Sequence, residues 1–247
     1  MSTIQSDRTG RVAHIALNRP EKRNALNASL CSELVHAIDS ADADSSVGCI
    51  VLSGNGPAFC AGMDLREAPA CDRLQLAGLH ERLFTTINRV RKPIITSVHG
   101  PAIAGGTGLV ANSHIAIASP AASFGLTEIK VGLWPVLVFR ACSLAMGERR
   151  TTELSITGRM FTPQEAHAYG LVTEIHEEPL ARAMQVAATI SEHSSLVLGS
   201  GLGYAREIRH LNWEEAGKIG RKMRDRMMEQ GDFKEGVTAF LEKRKPG

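Results

Sequence analysis

A chain of 247 residues with 28 Lys+Arg against 26 Asp+Glu, 43% hydrophobic and 22% charged residues, fits one large domain or a domain with an appendage, long enough to bury a sizeable core. That composition excludes intrinsic disorder and collagen-like structure. A net charge of +2 supplies no general field for nucleic acid or an anionic membrane, so an anionic ligand has to be met by a local cluster.

The amino terminus, MSTIQSDRTGRV, has an early acid and no apolar stretch, which argues against a secretory signal and makes the cytoplasm the expected location. Residues 11–17 alternate in polarity and run into Asn18-Arg19-Pro20, a strand followed by a turn. From Leu26 the apolar residues Leu30, Leu34, Val35, Ile38 and Ala41 recur at helical spacing behind a candidate N-cap, Asn27. The run 48–54 reads as a strand, 58–65 as a loop, and 72–91 as a helix with Leu76, Leu79, Leu83, Ile87 and Val90 inward. Strand 93–98, a glycine-rich elbow over 99–108, a short helical stretch and strand 114–119 follow. This alternation gives parallel or near-parallel sheets with crossover helices, hence the α/β class.

Thr162, Pro163 and Glu165 form a helix-start signature, residues 171–175 read as a strand, and from about 180 onward only helices are predicted. The helical tail has apolar residues, among them Trp213, Phe233 and Phe240, that need a cover, for which a neighbouring subunit is one candidate. The expected division is a core over 1–190 and a helical region over 191–247. The five cysteines (Cys31, Cys49, Cys60, Cys71, Cys142) are odd in number and lack C-x-x-C spacing, which favours buried reduced thiols over a disulfide framework or zinc site.

From Pro93 to Thr127 the chain runs 35 residues without Asp, Glu, Lys or Arg. Its histidines, Asn112 and five glycines disqualify it as a transmembrane helix, so it reads as buried backbone. Within it Gly106-Thr107-Gly108-Leu109-Val110-Ala111 fits a dinucleotide fingerprint with Glu128 as the following acid, although the glycines start well after the strand. The alternatives are glycines that merely permit close packing, or backbone N–H groups left free to meet developing negative charge. Cys60 is a candidate nucleophile beside the simpler reading of an inert buried thiol. Asp64 is a candidate catalytic acid beside the reading of a loop carboxylate that binds backbone amides. Glu128, isolated among apolar residues, suits acid/base work if its surroundings raise its pKa; the alternative is an exposed pair with Lys130.

Four blocks in order resemble the crotonase superfamily, the enoyl-CoA hydratase/isomerase family: RPEKRNALN, VLSGNGPAFCAGMDL, KPIITSVHGPAIAGGTGLV and ASFGLTEIKVGLWP. ITGRMFTPQEAHAYGLVTEI and DFKEGVTAFLEKRKPG extend the resemblance over nearly the whole chain. It implies a spiral of ββα units with a C-terminal helical oligomerisation region, and an acyl-CoA thioester as substrate. No metal, nicotinamide or flavin is implied, and CoA is part of the substrate. The backbone N–H groups of Met63 and Gly105 would form an oxyanion hole. CoA would run past Arg23, Ala25, Ala61, Asp64 and Leu65, largely by backbone contacts. Phe240 and Lys243 would reach a neighbouring subunit's CoA in a homotrimer or dimer of trimers. Their tail carries 11 Lys+Arg and 8 Asp+Glu from Arg206 onward, a local positive excess suited to phosphates. Leu133, Trp134 and Pro135 would wall the acyl pocket, favouring short or flat acyl groups.

Hydratases of this family use two glutamates. Glu128 fills the second position, but Gly108 stands at the first. Three functions therefore remain open: hydration of a 2-enoyl-CoA with the water held by backbone or a side chain such as Glu81, isomerisation of a 3-enoyl-CoA with Glu128 as sole base, and a non-catalytic CoA-binding scaffold.

Overall fold

The structure, a computed structural model, describes residues 2–66 and 73–244, and the chain divides into two compact units, 1–192 and 193–247. The first begins with strands β1 (Ile4–Thr9) and β2 (Val12–Leu17), joined through Gly10 at φ 57°. Helix α1 (Ala28–Ala43) buries the apolar residues that the spacing selects, and the Asn27 side chain accepts from the Leu30 amide as its cap. Strand β3 (Cys49–Gly54), helix α2 (Arg73–Phe84), strand β4 (Ile94–Val98) and the short strand β5 (Pro101–Ile103) follow. Helix α3 (Gly105–Ala111) starts inside the glycine elbow, four residues ahead of the predicted stretch, and leads to β6 (Ile115–Ala118) and β7 (Ser123–Gly125). Beyond lie helices α4 (Phe139–Met146) and α5 (Glu148–Thr157), strand β8 (Met160–Phe161), helix α6 (Pro163–Tyr169), strand β9 (Glu174–Ile175) and helix α7 (Pro179–Ser191). Thr162 and Glu165 form the expected capping box of α6.

The main sheet has the order β1-β2-β3-β4-β6-β9, with β1 antiparallel and the other pairings parallel; β5-β7-β8 form a small second sheet. The mixed α/β architecture agrees with the expected crotonase-like fold. Period-two alternation sorts the main sheet's side chains onto two faces. Val12, Cys49, Val51, Ile95 and Ile117 pack under Ala183 and Ala187 of α7. Ile15, Leu17, Ile50, Leu52 and Ile94 face the larger core with Leu30 and Leu34 of α1. Strand β1 was not readable by this rule, because IQSDRT buries only Ile4. At that edge His14 is a satisfied structural histidine, contacting Asp7 at 3.2 Å and the Ser53 hydroxyl at 2.8 Å.

The second unit holds α8 (Ser195–Glu207), α9 (Trp213–Glu229) and α10 (Gly231–Leu241). Asn212 and Glu215 cap α9 reciprocally. Trp213 is 96% and Phe240 82% exposed, so the apolar residues singled out in this tail are uncovered in the single chain. No helix among the described residues is long and apolar enough to cross a membrane.

Candidate active site

Two backbone segments build the site. The first is a ladder between residues 23–26 and 61–64: the Ala61 amide donates to the Arg23 carbonyl (3.0 Å), Leu26 to Gly62 (2.7 Å) and Asp64 to Leu26 (3.0 Å). Leu26 and Met63 are bridge partners, and since the bridge uses the amide of Asp64 and the carbonyl of Gly62, the Met63 N–H points away from it. Arg23 and Asn24 both sit at positive φ, which turns the chain into this ladder. Arg23, Ala25, Ala61, Asp64 and Leu65 are thus neighbours along one ladder, with Arg23 and Leu65 exposed.

The second segment is the elbow. The Ile103 amide donates to Cys60 (2.9 Å) and that of Ala104 to Gly125 (2.7 Å), which fixes the chain just before α3. Ala104 has φ 52° and ψ −116°, a conformation that costs a residue with a Cβ about 1–3 kcal/mol. That strained residue sets the direction of the next amide, Gly105, which is the first residue of α3 and has no intrahelical acceptor. Gly62 lies against it: a Cβ on Gly62 would stand 2.9 Å from Ala104 Cβ and 3.4 Å from Gly105 N. Neither the Met63 nor the Gly105 N–H donates to any described group, and both residues line one cavity of about 170 Å³.

Glu128 lines the same cavity, together with Leu133, Trp134 and Pro135. It opens a single 3-10 turn, Glu128–Val131, held by the Leu133 amide on its carbonyl (3.0 Å). It makes no ion pair with Lys130, which is exposed, and its Oε2 is buried without a hydrogen-bond partner. Burial pushes the carboxyl above the usual carboxylate range, with its own backbone amide pulling weakly the other way. The folded state therefore keeps this proton at pH values where the unfolded chain has lost it, and the linked stability, present at low pH, is lost as pH rises through the folded pKa. Glu128→Gln should accordingly melt above the unaltered protein at about pH 8, with the gap closing towards about pH 4. A gap of the same size at both pH values in a thermal melt would contradict this.

Gly106 and Gly108 are packing glycines, so their missing side chains are explained without a dinucleotide. A Cβ at Gly106 would lie 2.2 Å from the Cys60 carbonyl oxygen, and one at Gly108 would lie 2.2 Å from Val138 Cγ1 and 3.2 Å from Phe84 Cε1. Val138 and Phe84 thus fill the space beside Gly108, and among the described residues no second carboxylate occupies it. Gly108→Ala should cost about 1–3 kcal/mol by overpacking, to be measured by urea denaturation; an unchanged midpoint would show that Val138 yields freely.

Other expectations need correction. Glu81 does not line the cavity; it is exposed on α2, and its neighbour His80 lines the cavity instead. His80 is 7% exposed, its Nε2 is buried without a partner, and burial lowers its pKa. The sequence did carry a signal, since Leu76, His80 and Phe84 repeat at four-residue spacing along the buried side of α2. Asp64 is unavailable as a catalytic acid: its carboxylate is 3.2 Å from the Arg19 guanidinium, both side chains under 10% exposed, and it accepts from the Arg66 amide. Cys60 is fully buried with its thiol pushed up to about 12, so it is inert. Cys31, Cys49 and Cys142 are likewise buried free thiols, and Cys71 lies outside the described residues. Among the described residues no three of His, Cys, Asp and Glu cluster as metal ligands.

Two backbone amides with no acceptor among the described residues and a buried carboxyl on one apolar cavity are groups of the kind that can stabilise a carbonyl oxygen gaining negative charge. The family profile described as enoyl-CoA hydratase/isomerase matches residues 7–247, and the chain belongs to that family. An enoyl-CoA hydratase of Mycobacterium tuberculosis is 33% identical over 100% of this chain and 98% of its own. The 2,3-dehydroadipyl-CoA hydratase of Escherichia coli is 30% identical, with the same coverage. The crystal structure of an enoyl-CoA hydratase from Mycobacterium smegmatis superposes with a TM-score of 0.94 at 30% identity, covering 99% of this chain and 98% of that one.

Proposed function

We propose that this protein is an enzyme that hydrates a 2-enoyl-CoA to a 3-hydroxyacyl-CoA. The observation that carries the proposal is the convergence of the Met63 and Gly105 amides and the Glu128 carboxyl on one cavity. The thioester oxygen accepts both N–H groups. As water adds at C3, the π electrons move to C2 and that oxygen, and the two donors stabilise the enolate; one such donor is typically worth about 2.7–4 kcal/mol. Glu128 delivers a proton to C2, and the proton that the added water sheds restores the carboxyl. No cofactor enters this scheme.

The acyl group lies against Leu133, Trp134 and Pro135, and the Trp134 ring, 6.0 Å from that of Phe139, limits the cavity to short or flat acyl chains. CoA follows the ladder of Arg23, Ala25, Ala61, Asp64 and Leu65, with Asp64 contributing main chain because its side chain is taken by Arg19. Phe240 and Lys243, exposed in the single chain, reach the CoA of a neighbouring copy in a homotrimer or dimer of trimers.

A single carboxylate in the cavity also supports a second reading, isomerisation of a 3-enoyl-CoA, in which Glu128 moves a proton from C2 to C4. Purified protein assayed with 2-butenoyl-CoA, longer 2-enoyl-CoAs and a 3-enoyl-CoA separates them. Hydration of the short 2-enoyl thioester is expected. Turnover of the 3-enoyl substrate alone would establish the isomerase, and acyl-CoA binding without turnover of either would establish a scaffold.

A further inference from the structure

Addition of water needs two proton events, one at the water and one at C2, and Glu128 accounts for one. The position at which relatives with two glutamates would supply the other is Gly108, whose adjoining space Val138 and Phe84 fill. Among the described residues two titratable side chains line the cavity, Glu128 and His80. Each has a buried polar atom with no partner among the described residues, Oε2 of Glu128 and Nε2 of His80. Leaving a buried polar atom without a hydrogen bond costs about 1–3 kcal/mol, so two such atoms on side chains that line one small cavity mark groups that a ligand entering the cavity can satisfy. A molecule between them has to donate to one and accept from the other, and water does both.

We propose that His80 is the second catalytic residue: its Nε2 holds the water that adds to the substrate double bond and takes the proton that water loses. This deepens the hydratase reading and rests on it. The water O–C3 bond forms as one water O–H bond breaks, its proton passing to Nε2. The C2=C3 π pair shifts through the enolate held by Met63 and Gly105, and C2 then takes the proton of Glu128. The imidazolium returns its proton to the Glu128 carboxylate, so the enzyme is regenerated and the product has gained one water.

The electrostatics suit the assignment, because burial disfavours the charged form of both groups, raising the Glu128 carboxyl and lowering the His80 imidazole. The other described elements around His80 bring little charge to it. Helix α3 and residues 133–138 carry no titratable side chain. On α1, Asp39 is paired with Arg82 and Arg89, Asp42 accepts the Arg91 and Lys92 amides, Glu33 is bonded to Ser2 and Ser29, and His36 is exposed. On α2 itself Glu81 is exposed and Arg82 turns to Asp39. The proposed mechanism needs one proton shared by the pair, so activity should fall both when the pair gains a second proton and when it loses the last.

The test is His80→Gln and His80→Ala assayed for hydration of 2-butenoyl-CoA beside Glu128→Gln. His80→Gln should lower kcat about 100-fold or more with KM little changed, and should remove the acid limb of the pH profile. Added imidazole should restore part of the activity of His80→Ala, which a merely structural histidine would not allow. A His80→Gln enzyme within about twofold of the unaltered kcat and with its acid limb intact would overturn the assignment, as would absence of imidazole rescue in a folded His80→Ala with a native melting curve. If Glu128→Gln is inactive while His80→Gln is not, His80 alone is refuted. If the unaltered protein hydrates no 2-enoyl-CoA, short or long, the hydratase reading falls and this assignment with it.

Discussion

Glu128→Gln is expected to lower kcat for 2-enoyl-CoA hydration by about 10²–10⁴-fold while acyl-CoA binding persists. The amide keeps the size of the carboxyl and its place beside Leu133 and Trp134, so the apolar wall and the Met63 and Gly105 donors remain. What disappears is the transferable proton. The loss should therefore fall on kcat and on kcat/KM together, the signature of an interaction made in the transition state. Calorimetric titration with a saturated acyl-CoA would show binding retained. Unchanged turnover would remove Glu128 from the mechanism, and lost binding would make it a structural residue.

Asp64→Ala is expected to cost about 3–5 kcal/mol of stability, because it leaves the Arg19 guanidinium buried without its carboxylate. The pair is 3.2 Å apart with side-chain exposures of 9% and 8%, and Arg19 also donates to the Ala25 carbonyl at 2.7 Å. It therefore ties together the two segments whose ladder carries Met63. Loss of the Asp64 carboxylate should loosen the ladder as well as the fold, so the variant should show a lower urea midpoint and weaker acyl-CoA binding. A midpoint within about 0.5 kcal/mol of the original would mean that the site relaxes to hydrate Arg19.

Much of this was legible in sequence, for identifiable reasons. Helices α1 and α6 announced themselves by spacing and caps, and β3 and β4 by short apolar runs, because one buried face imposes its period. Glu128 stood out as the carboxylate that ends 35 uncharged residues, and its burial follows from that isolation. The departure at Gly108 was visible, but its cause was not. That Val138, 30 residues later, closes the space is a fact of tertiary packing. His80 was obscured because a histidine at a buried helix position is more often a satisfied core residue, and only its unpartnered Nε2 separates the two cases. The strain at Ala104 is equally invisible, since alanine gives no hint of a positive φ.

The central claim, that the Met63 and Gly105 amides grip a thioester carbonyl opposite Glu128, involves donors no side-chain substitution can remove. It is tested most directly by the infrared carbonyl stretch of a ¹³C-labelled acyl-CoA bound to the protein. Two N–H donors withdraw electron density from the C=O bond, so the band should move to lower wavenumber than in free solution and stay there in Glu128→Gln. A bound carbonyl band at the position of the free thioester would contradict the account.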